Sequence, residues 1–385
     1  MIRWIARRGE VGATMRVLFW SERFWPIIGG VSVSAAKLLP ALRERGCEFV
    51  VVTSGDEFNL PDETQYKGIP VHRFPFWSAV ALRDLSQLRA VRQRVTKLKR
   101  AFKPDLVHIN FLGPSVLFHF STAHAHPAPL LVTLDSGFPG AAAYDTLVGQ
   151  TLRAADWVTS VSAARLAEAR QLVLEIVPYS SVVYNGREVP PLLPAPLPFA
   201  APRVLCLGRL VPDKGFDLAV AAFAPLVRRF PRARLVIAGD GPARPDLEQQ
   251  AVALGLTEVI DFLGWVDPDA VPALMNSVTL VVMPSRHEGF GGVALEAALM
   301  ARPVVATRVG GLPEAVVHDA TGLLIDPENS PALTEAIGHL LDQPDTATRL
   351  GHAARRRAQD VFGWERYVDA HDALYQRLVK EGGRR

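Results

Sequence analysis

The sequence predicts an α/β protein of two doubly wound, Rossmann-like domains, and three observations carry that prediction. The chain has 385 residues, enough for two or three domains at roughly 150 residues each. Short apolar, β-branched runs alternate with longer helical patterns in both halves, the rhythm of βαβ units around parallel strands buried on both faces. Between the halves, residues 190–202 read PPLLPAPLPFAAP, with six prolines in thirteen positions. Proline at that density continues neither a helix nor a central strand, so the segment reads as a stiff interdomain linker.

The elements follow in order. Residues 1–14 read as an extension, because Met15 directly precedes the strand candidate Arg16 to Trp20. A Gly29-Gly30 turn and a helical stretch to Arg45-Gly46 come next, then a second apolar run, 48–53. Further strands are predicted at 106–109, 130–134, 157–161 and 181–184, completing a first domain over 15–189. After the linker the rhythm restarts at 204–207, 234–238, 259–263, 279–283 and 304–307, with helical patterns at 217–230 and 246–254, giving a second domain over 203–364. In such an arrangement the strand C-terminal ends form the default ligand site.

Composition narrows the function classes. Hydrophobic residues at 49% against 21% charged exclude a largely disordered chain. A net charge of +3 argues against nucleic-acid binding by bulk charge. Cys47 and Cys206 lie far apart in apolar runs, which excludes a disulfide scaffold or structural zinc and fits a reducing cytoplasm. No apolar stretch approaches about 18 residues, and the basic N-terminus lacks the apolar core of a secretory signal.

The most informative stretch is Pro284-Ser-Arg-His-Glu-Gly-Phe-Gly-Gly-Val-Ala-Leu-Glu296. A buried strand ends, a glycine-rich turn follows, and a helix begins near Gly292. The missing Cβ atoms at Gly289, Gly291 and Gly292 leave room for a ligand against the backbone. The helix N-terminus offers N–H groups and partial positive charge suited to phosphate. Glu288 at the lip of the turn and Glu296 one turn into the helix would accept hydrogen bonds from sugar or ribose hydroxyls.

Glu288-Gly-Phe-Gly, followed after four residues by Glu296, resembles the double-glutamate motif of the family 4 retaining glycosyltransferases, and the similarity extends from Met15 over nearly the whole chain. Gly208-Arg209-Leu-Val-Pro-Asp-Lys214-Gly215 is similar to that family's diphosphate-binding loop. Leu235 to Pro242, Phe262 to Val266, Arg302 to Glu314 and Asn185-Gly186 match in the expected order. The resemblance implies the GT-B fold, with two domains facing a central cleft and a C-terminal helix, residues 365–385, crossing back to the first domain. It implies transfer of a sugar from a nucleoside-diphosphate sugar to a hydroxyl acceptor, on a glycan, a lipid carrier or a small molecule, in bacterial cell-surface polysaccharide or glycolipid synthesis. The nucleotide sugar is the co-substrate, and no further cofactor or metal is implied.

The resemblance also distributes roles. Arg209 and Lys214 would grip the diphosphate, Glu296 the ribose hydroxyls, Glu288 the transferred sugar, and the backbone at Val266 the base. Gly30 would approach the donor phosphates, and His287, Gly289, Phe290, Gly291 and Gly292 would line the donor pocket. Asp135 stands where the family usually carries a histidine, so that role does not transfer unchanged; a carboxylate there would orient the acceptor or the sugar. His108, at another strand end, reads either as a satisfied core histidine or as a catalytic one. Asp267 and Asp269 have the spacing of a metal pair but precede a helical pattern, so they read as caps.

Helix 85–103 carries seven Lys or Arg and no acid, with Val91, Val95, Leu98 and Phe102 as its apolar stripe. It reads either as a solvated basic face or as a contact with an anionic membrane, with Phe74, Phe76 and Trp77 as aromatic anchors. A nucleotide-sugar 2-epimerase of the same fold and a catalytically silent nucleotide-sugar-binding protein are the rival functions.

Overall fold

The structure, a computed structural model, describes residues 14–27, 30–56, 60–135 and 143–383. The extension 1–14, apart from Thr14, and Gly29 of the predicted turn lie outside the described residues. The chain divides into two compact units. The first comprises the described residues up to Val132, with Ala154–Trp157 and the chain from Asp372 onward; the second comprises Thr133–Arg153 and Val158–His371.

Strands β1 (Met15–Ser21), β2 (Cys47–Ser54), β3 (Glu63–Tyr66), β4 (Ile69–Phe74), β5 (Leu106–Phe111), β6 (Leu130–Leu134), β7 (Trp157–Ser160) and β8 (Ser180–Val182) form one sheet in the order β3-β4-β2-β1-β5-β6-β7-β8. β1 pairs in parallel with β2 and β5, whereas β3 runs antiparallel to β4. The second sheet contains β9 (Arg203–Leu207), β10 (Arg234–Ala238), β11 (Ile260–Gly264), β12 (Leu280–Met283), β13 (Val304–Thr307) and β14 (Gly322–Ile325), in the order β11-β10-β9-β12-β13-β14, all parallel. The β-branched runs are buried as expected: Val17 to Trp20, Val204 to Cys206 and Leu280 to Val282 are fully enclosed. Helices cover both faces of such strands, so each residue in them loses nearly all its contact with water.

In the first unit, Trp20 stacks on Phe76, and Phe76 contacts Phe74 and Phe118. Phe74 and Phe76 are therefore core residues, which corrects their reading as membrane anchors; Trp77 alone of the three is exposed. His108 is buried, with Nδ1 2.6 Å from the Tyr375 hydroxyl of the terminal helix Trp364–Glu381. It is the satisfied core histidine of the two readings.

The basic helix, Leu85–Phe102, is capped by Asp84, whose carboxylate accepts the Ser86 and Gln87 N–H groups. Its most buried side chains are Val91, Val95 and Lys99. A four-residue step from Val95 brings Lys99 onto the core stripe, so it is not one of the solvated cations; Arg89, Arg92, Arg94, Lys97, Arg100 and Lys103 are exposed. The Lys99 amine lies 3.1 Å from the His119 carbonyl and 3.3 Å from His119 Nδ1, over the Trp20 ring. No carboxylate among the described residues pairs with it, and burial pushes its pKa down to about 7.

Between about pH 7 and the ordinary lysine range, the unfolded chain therefore holds a proton that the folded chain lacks, and stability rises with pH. Below about pH 7 the fold must carry a buried charge. Lys99→Met is expected to stabilise the protein at pH 6 by on the order of 2–3 kcal/mol and by much less at pH 10. Urea unfolding at the two pH values measures this; a gain equal at both would refute it.

Candidate functional site

The site is built in the second unit where β12 ends. The loop 284–291 turns into the helix Gly292–Leu299, entered through Gly291 at φ 103°. That backbone conformation favours glycine. Phe290 is buried against Tyr184 and Phe362, so its ring anchors the loop rather than facing a ligand.

A second loop, leaving β9 through Gly208 to Gly215, lies against the first. The Arg286 N–H and the His287 N–H both donate to the Asp213 carbonyl, at 2.8 and 3.3 Å. The Arg286 guanidinium grips Asp217 with two bonds of 2.7 Å and also reaches Glu328 at 2.6 Å. Arg286 holds the Asp217 carboxyl below its usual range. Bidentate charge-assisted bonds of this kind fix direction as well as distance, so the two loops have a set spacing.

That spacing brings Lys214 to Glu288. The Lys214 Nζ donates to Glu288 Oε2 at 2.6 Å, with side-chain exposures of 27% and 13%. Arg209 is exposed and makes no side-chain ion pair among the described residues. His287 is exposed, with Nδ1 3.3 Å from Asp213. The Gly289 carbonyl accepts the Ser162 hydroxyl at 2.9 Å, and the Glu288 carbonyl lies 3.4 Å from the Arg165 guanidinium. Val266 is half-buried on the core cluster that contains Phe290 and Ala294.

Glu296 faces a different cation. Its Oε1 is 3.5 Å from Arg187 Nε. A Cβ at Gly292 would come within 2.6 Å of Arg187 Nη2, so the space that this glycine leaves is filled by a guanidinium. Burial raises the Tyr367 pKa; the charge of Asp135, half-buried just after β6, raises it too, and that of Arg187 lowers it. Gly30 begins the helix Gly30–Glu44 in the first unit.

Asp267 is a cap: its carboxylate accepts the Asp269 N–H at 2.9 Å. Among the described residues, no group of three or more His, Cys, Asp or Glu side chains could hold a metal. Sequence reasoning missed Ser162, Arg165 and Arg187. Ser162 carries the signal of an N-cap, and its side chain does accept the Arg165 N–H; Arg187 directly follows the Asn185-Gly186 pair. Glu314, within a quoted motif, is structural: its carboxylate accepts the Ala163 and Ala164 N–H groups.

Comparison with known proteins places this geometry in context. The family model described as Glycosyl transferases group 1 matches residues 197–357. The model described as Glycosyltransferase Family 4 matches residues 28–189. The chain is 29% identical to a glycogen synthase of Mycobacterium tuberculosis across 94% of each chain. It is 39% identical to the GDP-mannose-dependent alpha-(1-6)-phosphatidylinositol monomannoside mannosyltransferase of Mycolicibacterium smegmatis, over 42% of this chain and 44% of that one. The structure superposes on the sucrose-phosphate synthase of Thermosynechococcus elongatus with a TM-score of 0.81, at 24% identity, covering 96% of this chain and all of the other.

Proposed function

Because the chain belongs to the glycosyl transferases group 1, the family 4 glycosyltransferases of GT-B fold, we propose that it moves a sugar, with retention, from a nucleoside diphosphate to a hydroxyl acceptor. The observation that carries this reading is the Lys214–Glu288 ion pair, which joins the loops that follow β9 and β12, with Arg209 on the first loop and Glu296 in the glycine-led helix after the second. Cleaving the sugar–phosphate bond develops negative charge on the leaving diphosphate. Cations and N–H groups already held in place stabilise that charge more than they stabilise the substrate.

In this reading Arg209 is available for the diphosphate as it stands. Lys214 is held by Glu288 until a phosphate competes for it, and its release frees the Glu288 carboxylate for the sugar hydroxyls. Glu296 takes the ribose, and the backbone near Val266 meets the base. Asp135 orients the acceptor or the sugar, while the leaving phosphate accepts the acceptor's proton. No metal is needed to neutralise the diphosphate when two cations serve it. In this reading the chain is organised as domains 15–189 and 203–364, with the proline-rich 190–202 as the linker between them and 365–385 as the terminal helix.

Two free, buried cysteines favour a cytoplasmic setting. No helix among the described residues is long and apolar enough to cross a membrane. The six exposed cations of helix Leu85–Phe102 and its cap suit an anionic lipid surface, and the mannosyltransferase relative is named for phosphatidylinositol monomannoside. We therefore favour a lipid-linked acceptor. The epimerase reading is set aside, since the relatives above are named as transferases and synthases.

The test is incubation with labelled UDP-, GDP- and ADP-sugars, with acceptor hydroxyls supplied free or on anionic vesicles. Nucleotide release with label moved to an acceptor, in the donor's anomeric configuration, is expected, and more strongly on vesicles. A changed donor without release, or binding without turnover, would overturn transfer; equal rates with free and vesicle-borne acceptors would overturn the lipid-surface reading.

A further inference from the structure

Arg187 is held from several sides. Its N–H donates to the Phe362 carbonyl at 3.0 Å, and it bridges to Gly363. Its Nη1 donates to the Gly186 carbonyl at 3.1 Å. Gly186 lets this happen by close approach: a Cβ there would lie 2.5 Å from Tyr367 Cβ. The side chain is only 17% exposed, and its guanidinium spans from the start of the helix at Gly292 to the Glu296 carboxylate one turn later.

A glutamate on a partly exposed helix face samples several rotamers, because its side chain has three rotatable bonds. Recognition of two adjacent hydroxyls requires both carboxylate oxygens in one plane and one direction. The planar, permanently charged guanidinium beside Oε1 restricts that freedom, and its own position is set by backbone contacts to residues 186 and 362.

We propose that Arg187 is a positioning residue for Glu296: it orients the carboxylate toward two vicinal hydroxyls and thereby lets the site distinguish ribose from 2′-deoxyribose in the nucleoside diphosphate. The proposal rests on the reading of Glu296 as the ribose contact, and adds a cation that this reading did not contain.

Calorimetric titration of the full chain with UDP, GDP and ADP, each against its 2′-deoxy counterpart, tests it. Wild type is expected to prefer the ribonucleotide by about 10-fold or more, the value of one hydrogen bond to a charged group. Glu296→Gln should lower that ratio, which checks the ribose contact itself. Arg187→Gln should reduce the ratio to about 3-fold or less, the ribonucleotide losing more affinity than the 2′-deoxy ligand, which keeps only one of the two hydroxyls. Arg187→Lys, which keeps the charge without the plane, should restore part of it.

A wild-type ratio retained in Arg187→Gln would overturn the proposal, as would an equal loss for both ligands, which is what a merely structural role gives. A ratio untouched by Glu296→Gln would overturn the ribose reading itself, and failure of wild type to bind any of the three diphosphates would remove the donor reading. Either of these takes the proposal with it.

Discussion

Lys214→Ala and Arg209→Ala are each expected to lower turnover by about 10- to 150-fold, the effect of removing one charge-assisted bond to the leaving diphosphate. The two losses should differ in kind. Arg209 is exposed and makes no side-chain ion pair among the described residues, so its removal leaves the resting site undisturbed and subtracts a contact made only with donor. Lys214 is bonded to Glu288 at 2.6 Å. Its removal also leaves a carboxylate, 13% exposed, without its cation, so donor binding should weaken as well through repulsion of the diphosphate. Steady-state kinetics on a responding donor separates the cases: kcat falls in both variants, and KM rises more in Lys214→Ala. Near-normal turnover in both would refute the assignment of the loop.

The second large effect is on stability. Arg302→Met is expected to destabilise the protein by about 3 kcal/mol or more, because several buried acceptors lose their donor together. The Arg302 side chain is fully buried. Its Nε donates to the Met300 carbonyl at 3.0 Å and its Nη1 to the Val278 carbonyl at 3.1 Å. Its Nη2 reaches the Ala195 carbonyl and Asn276 Oδ1. Asn276 in turn bonds to the Leu193 carbonyl and the Ala195 N–H, so one guanidinium ties the proline-rich segment to the turns that lead into β12 and β13. Burial pushes the Arg302 pKa down to about 10, and it stays protonated at neutral pH. Urea unfolding measures the loss, and proteolysis within 190–202 should accelerate in parallel. A variant with an unchanged midpoint would show that water replaces the lost donors.

Much of this protein is legible in the chain itself. The β-branched runs at 16–20, 204–207 and 279–283 become central strands because nothing else buries both faces of such a run. Less legible were the edge strand β3 and its neighbour β4, whose more and less buried residues alternate, and the helix Pro344–Val361, in which charged residues outnumber the few that it buries. β14 was missed because four apolar residues carry too little signal alone.

The same division runs through the site. The order of motifs pointed to the family, and through that resemblance to the two loops and the two glutamates as candidates. Which cation faces which carboxylate was settled only by tertiary structure. Lys214 and Glu288 are 74 positions apart in the chain and Arg187 and Glu296 more than a hundred, and their meeting depends on how separate loops pack. Lys99 makes the same point in the first unit: a lysine among seven cations in sequence is a buried, uncharged-leaning amine in the fold. Local sequence determines the elements and the chemical types they carry, because strand burial, capping and turn geometry are set by near neighbours. Partner choice and protonation are decided by residues distant in the chain, through burial and charge that exist only once the chain has packed.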